Sequence, residues 1–208
     1  MVFPMNWQLF SAFLVITTVL IAVPGPVVTL VIATGAQRGI RPALATVAGT
    51  MAGTAVLLAA IGFGLEWLLR MSSTLFEIMR WAGAAYLFYL GIQAWRHAGD
   101  PVPKLEPRGH VFATRGFLVA VTNPKTIAFF TAFLPQFIDP TLPVGFQIMV
   151  YSLVSLLIAA VLDSCWAVAA GLGRAWFLKP HHNKLLGRIS GLALMGGGIW
   201  LSLTRRPG

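Results

Sequence analysis

The chain has 208 residues, of which 57% are hydrophobic and 10% charged, with a mean hydropathy of +0.80 and a formal charge of +9. Soluble domains carry about 25% charged residues, so this composition excludes a soluble globular domain and sets the fold class as an all-α integral membrane protein. The basic residues lie mostly between hydrophobic runs, where they read as a topology signal and headgroup contacts rather than a nucleic-acid surface.

Six spans follow from the charge-poor runs. Residues 1–37 hold no Asp, Glu, Lys or Arg. That is long enough for a first crossing, which needs about 20 apolar residues. Without a basic n-region or a small-residue cleavage site, it reads as a retained span over about 7–32. Inside it stand Pro24, Gly25 and Pro26. Each proline removes a backbone donor and clashes with the carbonyl four residues back. Carbonyls freed in lipid need protein partners, so a break at membrane depth either improves packing as a kink or lines a wet cavity.

Span 2 covers about 43–65, with Ala45, Gly49 and Gly53 four apart for close helix approach. Residues 66–73 read as a connection. Span 3 covers about 75–95, with Glu77 and Arg80 near its start. Residues 96–115, holding Pro101, Pro103 and Pro107, read as a cytoplasmic linker between halves 1–95 and 116–208 of a single membrane domain spanning 1–208. Span 4 covers about 116–137 and contains a second break at Asn123, Pro124 and Lys125. Span 5, about 145–172, carries Asp163; a basic loop follows over 174–188. Span 6 covers about 189–203.

The halves look alike. Each opens on a proline-broken span and closes with Arg-x-x-Gly-x-Ala, at Arg80, Gly83 and Ala85 and again at Arg188, Gly191 and Ala193. Three spans per half invert one half relative to the other, so the expected architecture is six transmembrane helices as two inverted three-helix repeats. Arg and Lys gather after spans 1, 3 and 5, which predicts both termini outside, although Arg205 and Arg206 oppose this. Tryptophans 7, 67, 81, 95, 176 and 200 fall near span ends, as interfacial anchors do.

Lys125 and Asp163 interrupt apolar spans deeply, at a cost of about 2.5–3.5 kcal/mol each on insertion scales. Counting residues from the inner face puts both about 15 Å in at the helical rise. Either they form a permanent pair fixing span 4 to span 5, or Asp163 meets a substrate ammonium or carries a proton while Lys125 meets a carboxylate. Thr126 and Ser164 can extend either network. Cys165, the only cysteine, excludes an intrachain disulfide and reads as an apolar filler. All four histidines read as loop residues. No cofactor or metal is expected.

Pro24-Gly25-Pro26, the run from Trp81 to Gly91, Asn123-Pro124-Lys125-Thr126 and Phe133-Leu134-Pro135-Gln136-Phe137, in this order, resemble the LysE/RhtB lysine exporter family. The resemblance covers nearly the whole chain. It implies a multi-pass bacterial inner-membrane protein that exports amino acids on the proton-motive force, as a secondary antiporter working by alternating access. Many members carry Asp just after Pro-Gly-Pro, or Asn one position later; this chain has Val27 and Val28. With Asp163 as the only deep acid, a neutral substrate fits better than a dibasic one.

The expected substrate site is therefore Pro24, Gly25, Pro26, Asn123, Pro124, Lys125 and Asp163, with Asp163 coupling protons. The expected partners are a small-molecule amino acid and the bilayer, with a homodimer left open and no nucleic acid. The alternatives are cation or metal efflux, for which soft or acidic ligands are few, and an intramembrane enzyme, for which no span supplies a histidine base.

Overall fold

The computed structural model describes residues 5–71, 73–100 and 111–203. Among them every regular element is helical: α1 (Trp7–Ala22), α2 (Pro26–Arg38), α3 (Ile40–Met71), α4 (Ser73–Arg96), α5 (Phe112–Val121), α6 (Pro124–Ala132), a 3-10 turn (Leu134–Phe137), α7 (Val144–Leu172), α8 (Arg174–Phe177) and α9 (Pro180–Leu203).

Four stretches are long and apolar enough to cross a membrane: Ile40–Leu65, Phe112–Phe137, Val144–Leu172 and Pro180–Leu203. The pair α1 and α2, bent by 47°, makes a fifth when counted as one span. The expected third span, α4, is not among them. Its 24 residues reach about 36 Å at 1.5 Å per residue, but Glu77, Arg80 and Gln93 dilute its apolar character.

Both expected breaks are present, and the same prolines that end one helix open the next. Pro26 is the first residue of α2 and Pro124 the first of α6. A proline is tolerated at this position because its missing N–H would have no intrahelical partner there.

Helix ends depart from the sequence expectation wherever charge was taken as the boundary. The expected connection over 66–73 is helical apart from undescribed residue 72, since α3 continues to Met71 and α4 opens at Ser73. Residues 112–115 of the expected linker belong to α5, while Pro101, Pro103 and Pro107 lie outside the described residues. The expected basic loop over 174–188 holds α8 and the first turns of α9, so His181 and His182 stand on a helix. Charged side chains end an apolar run, but they do not end a helix; Lys and Arg are good helix formers.

The helices pack α4 on α9, α3 on α5 and α7, and α2 on α7. Of the small residues expected to pack span 2, Gly49 and Gly53 are buried and Ala45 is exposed. A Cβ on Gly49 would lie 1.9 Å from the Ala113 carbonyl oxygen, so α3 and α5 touch backbone to backbone. Only glycine allows that approach.

Candidate functional site

The break between α1 and α2 leaves two carbonyls short of helical donors. Ala22 faces Pro26 four residues on, which has no N–H; Val23 faces Val27, which the bend carries away. Two side chains from the other half of the chain supply the missing donors. Trp166 Nε1 of α7 donates to the Ala22 carbonyl at 3.3 Å, and Lys125 Nζ of α6 donates to the Val23 carbonyl at 2.6 Å.

The second break presents Lys125 to this point. Asn123 caps α6: its side-chain oxygen accepts from Lys125 N at 3.1 Å, and its amide donates to Thr126 Oγ1 at 2.8 Å. Gly25, at the head of α2, offers no side-chain cap, so the first-turn N–H groups of α2 keep their partial positive charge for a ligand.

Two cavities meet here. The larger, a vestibule of about 530 Å³, runs between α2, α4 and α9 from His97, Asp100 and Asn183 down to Pro24, Gly25, Pro26, Pro124 and Lys125. The smaller, about 60 Å³, lies behind and is lined by Gly25, Val27, Thr54, Asn123, Lys125, Ser155 and Asp163 among others. Gly25 and Lys125 line both. A Cβ on Gly25 would lie 2.9 Å from Lys125 Cδ, so the wall between the cavities is thin at this point.

Asp163 is 2% exposed and, among the described residues, makes no hydrogen bond or ion pair. The sequence leaves open a permanent pair with Lys125. In the structure the two line the same small cavity, and the Lys125 ammonium donates to the Val23 carbonyl. Thr126 joins the network; Ser164 lines neither cavity. Cys165, expected as a filler, is exposed on α7.

All seven expected site residues thus lie around one junction. Trp166 was not expected. Its position was the available signal: it sits deep in a span rather than at an end, and three residues after Asp163 it shares that residue's helix face.

The opposite end of the bundle is tied shut. Asn6 caps α1 by accepting from Gln8 N at 3.1 Å and Leu9 N at 3.3 Å, and it also donates to Asp139 Oδ2 at 3.0 Å. Asp139 N donates to Gln147 Oε1 at 2.9 Å, Gln147 Nε2 donates back to the Asp139 carbonyl at 2.9 Å, and Tyr151 OH donates to the Phe137 carbonyl at 2.7 Å. Phe13, Phe137 and Tyr151 pack beneath this lattice. Hydrogen bonds from Asn6 and then Thr141 hold the Asp139 carboxyl below the usual carboxylate range. The arrangement has an open vestibule at one end and a closed seam at the other.

Residues 18–205 match the family model of the LysE type translocator. The chain belongs to that family. LysE translocators are transporters rather than enzymes, and relatives of this chain include efflux proteins. It is 34% identical over 205 residues to the homoserine/homoserine lactone efflux protein of Salmonella typhimurium, covering 97% of this chain and 99% of that one. It is 31% identical over 205 residues to an uncharacterized membrane protein of Vibrio cholerae, covering 97% and 100%. It is 33% identical over 142 residues to the leucine efflux protein of Salmonella typhimurium, covering 64% and 65%. No solved structure matches the chain.

Proposed function

We propose that this LysE-family chain exports neutral amino acids or similar small zwitterions across the bacterial inner membrane, by proton-driven antiport with alternating access. The observation that carries the reading is the junction itself: two broken helices meet at the bond from Lys125 to Val23, between an open vestibule and a buried acid. A substrate carboxylate is suited to the head of α2 and to Lys125; a substrate ammonium or a proton is suited to Asp163. Substrate sites between discontinuous helices are the common solution in inverted-repeat transporters.

Six spans in two inverted halves, with α4 as the third, fit this role. The end of α4 and the start of α9 lie at the vestibule's mouth, and at the end of α2 Arg174 donates to the carbonyls of Ala36 and Gln37 at 2.7 and 2.8 Å. This basic end would face the cytoplasm under the positive-inside bias, making the conformation open inward. Homoserine and leucine in the names of the relatives agree with a neutral amino acid as substrate. Among the described residues no group of three or more His, Cys, Asp or Glu side chains gathers, so no observation favours cation efflux.

The test is counterflow in proteoliposomes with homoserine, leucine and lysine, with and without a pH gradient. Exchange of a neutral amino acid, driven uphill by an opposing proton gradient, is expected. Preference for lysine or arginine would overturn the substrate assignment. Asp163→Asn is expected to keep exchange and lose pH-driven accumulation; unchanged accumulation would remove Asp163 from proton coupling.

A further inference from the structure

We propose that Thr17 and Gln136 line the outward half of the transport path, where a departing solute hydrogen-bonds to them once the interface between α1 and the 3-10 turn parts. The proposal rests on the export reading above and adds contacts on the side of the junction that the structure holds shut.

Two hydrogen-bonding side chains in this closed half have no partner. The Thr17 hydroxyl and both amide atoms of Gln136 are buried and make no hydrogen bond. Other residues of the chain show what such side chains do in a purely structural setting. Thr34, Thr46 and Thr131 each donate to the carbonyl four residues back, at 2.8, 3.0 and 2.7 Å. Thr17 stands on a helix and does not. Gln147, also buried, uses both amide atoms: it accepts from Asp139 N and donates to the Asp139 and Leu142 carbonyls. Gln136 uses neither.

Their place in the fold is bracketed by two contacts. Phe13, Thr17 and Leu20 share one face of α1, and all three are buried. On the seam side Phe13 meets Phe137, with ring centroids 5.4 Å apart. On the junction side Leu20 and Phe133 converge, since a Cβ on Gly197 of α9 would lie 3.7 Å from each. Thr17 comes between Phe13 and Leu20 along α1, and Gln136 between Phe133 and Phe137 on the facing strand of chain. Trp200 stacks on both Phe133 and Phe137 and bridges the two levels. The unpartnered groups therefore occupy the layer between the Val23 junction and the Asn6–Asp139 lattice.

A buried polar group without a partner is unfavourable, and apolar residues of the same shape would hold this layer at least as well. The polarity gains a use when the layer parts, because water and a passing solute then supply partners. A hydroxyl and a primary amide each donate and accept. They match an ammonium, a carboxylate, a hydroxyl or an ester oxygen alike, and without a fixed charge they do not retain the solute.

The experiment sets homoserine counterflow in proteoliposomes beside thermal unfolding in detergent for wild type, Thr17→Val and Gln136→Leu. Both variants are expected to unfold at or above the wild-type temperature and to exchange homoserine about tenfold more slowly, the worth of one hydrogen bond to the solute. Exchange at the wild-type rate in either variant overturns the assignment. So does a lower unfolding temperature, which marks a structural role. A second measurement needs neither variant. Leu20→Cys in a Cys165→Ala background puts a thiol one turn inward of Thr17. A membrane-impermeant maleimide added outside right-side-out vesicles is expected to label it about tenfold faster during homoserine efflux than without homoserine; no rise overturns the path along this layer. If wild type exchanges homoserine and the variants match it, this assignment alone falls. If wild type exchanges no amino acid, the export reading falls with it.

Discussion

Asn123 shows how much one side chain sets at this site. It is 5% exposed, caps α6 and orients Thr126. Losing a cap of this type costs about 1 kcal/mol, within a range of about 0.5–2. Asn123→Ala is thus expected to lower stability by about that much and, by loosening the first turn of α6, to misplace Lys125. Asn123→Asp keeps the acceptor and is expected to retain most of the stability. Thermal unfolding in detergent reads both. Trp166 makes the companion case: Trp166→Phe keeps the ring and removes the donor to Ala22, which leaves a partly buried carbonyl unsatisfied. Its effect is expected in the same assay, smaller than that of Lys125→Ala.

At the scale of elements, α3 against α5 is the tightest crossing. Gly49 meets the Ala113 carbonyl and Gly53 the Phe117 carbonyl, where added Cβ atoms would stand 1.9 and 2.4 Å away. Backbone cannot yield as a side-chain tip does. Gly49→Ala is expected to destabilise by about 1–3 kcal/mol, the usual range for overpacking, while Ala45→Gly on the exposed face of α3 costs only its helix propensity, about 1 kcal/mol. A comparison of unfolding midpoints distinguishes them. The sequence pattern of small residues four apart did point to a packing face. It did not show that the face is rotated to take Thr46 and Thr50 rather than Ala45.

For the whole molecule, the seam at the far end joins the start of α1 to the turn before α7. Asp139 is held below its ordinary carboxyl value by Asn6 first and Thr141 next. A depressed folded value stabilises above the unfolded carboxylate pKa, near 3.9, and this contribution disappears as pH falls through the folded value. The Asn6–Asp139 link is therefore expected to be constant from neutral pH down to about 4 and to fade only in stronger acid. The difference in unfolding temperature between wild type and Asp139→Asn, followed across pH, checks this. A difference that changed between pH 6 and 8 would contradict it.

The sequence by itself determined the membrane class and the two breaks. Those depend on local facts: proline lacks an N–H, and apolar runs of a given length span lipid. It also placed Pro24 and Lys125 as neighbours in function through the likeness of the halves. Only the tertiary structure decided which carbonyl the Lys125 ammonium bonds. Whether Lys125 meets Asp163 or the orphaned Val23 carbonyl depends on how α6 lies against α1, a matter of angles between distant helices that no residue count encodes. The same holds for the thin wall at Gly25, which exists because two helix ends from opposite halves happen to converge on one glycine.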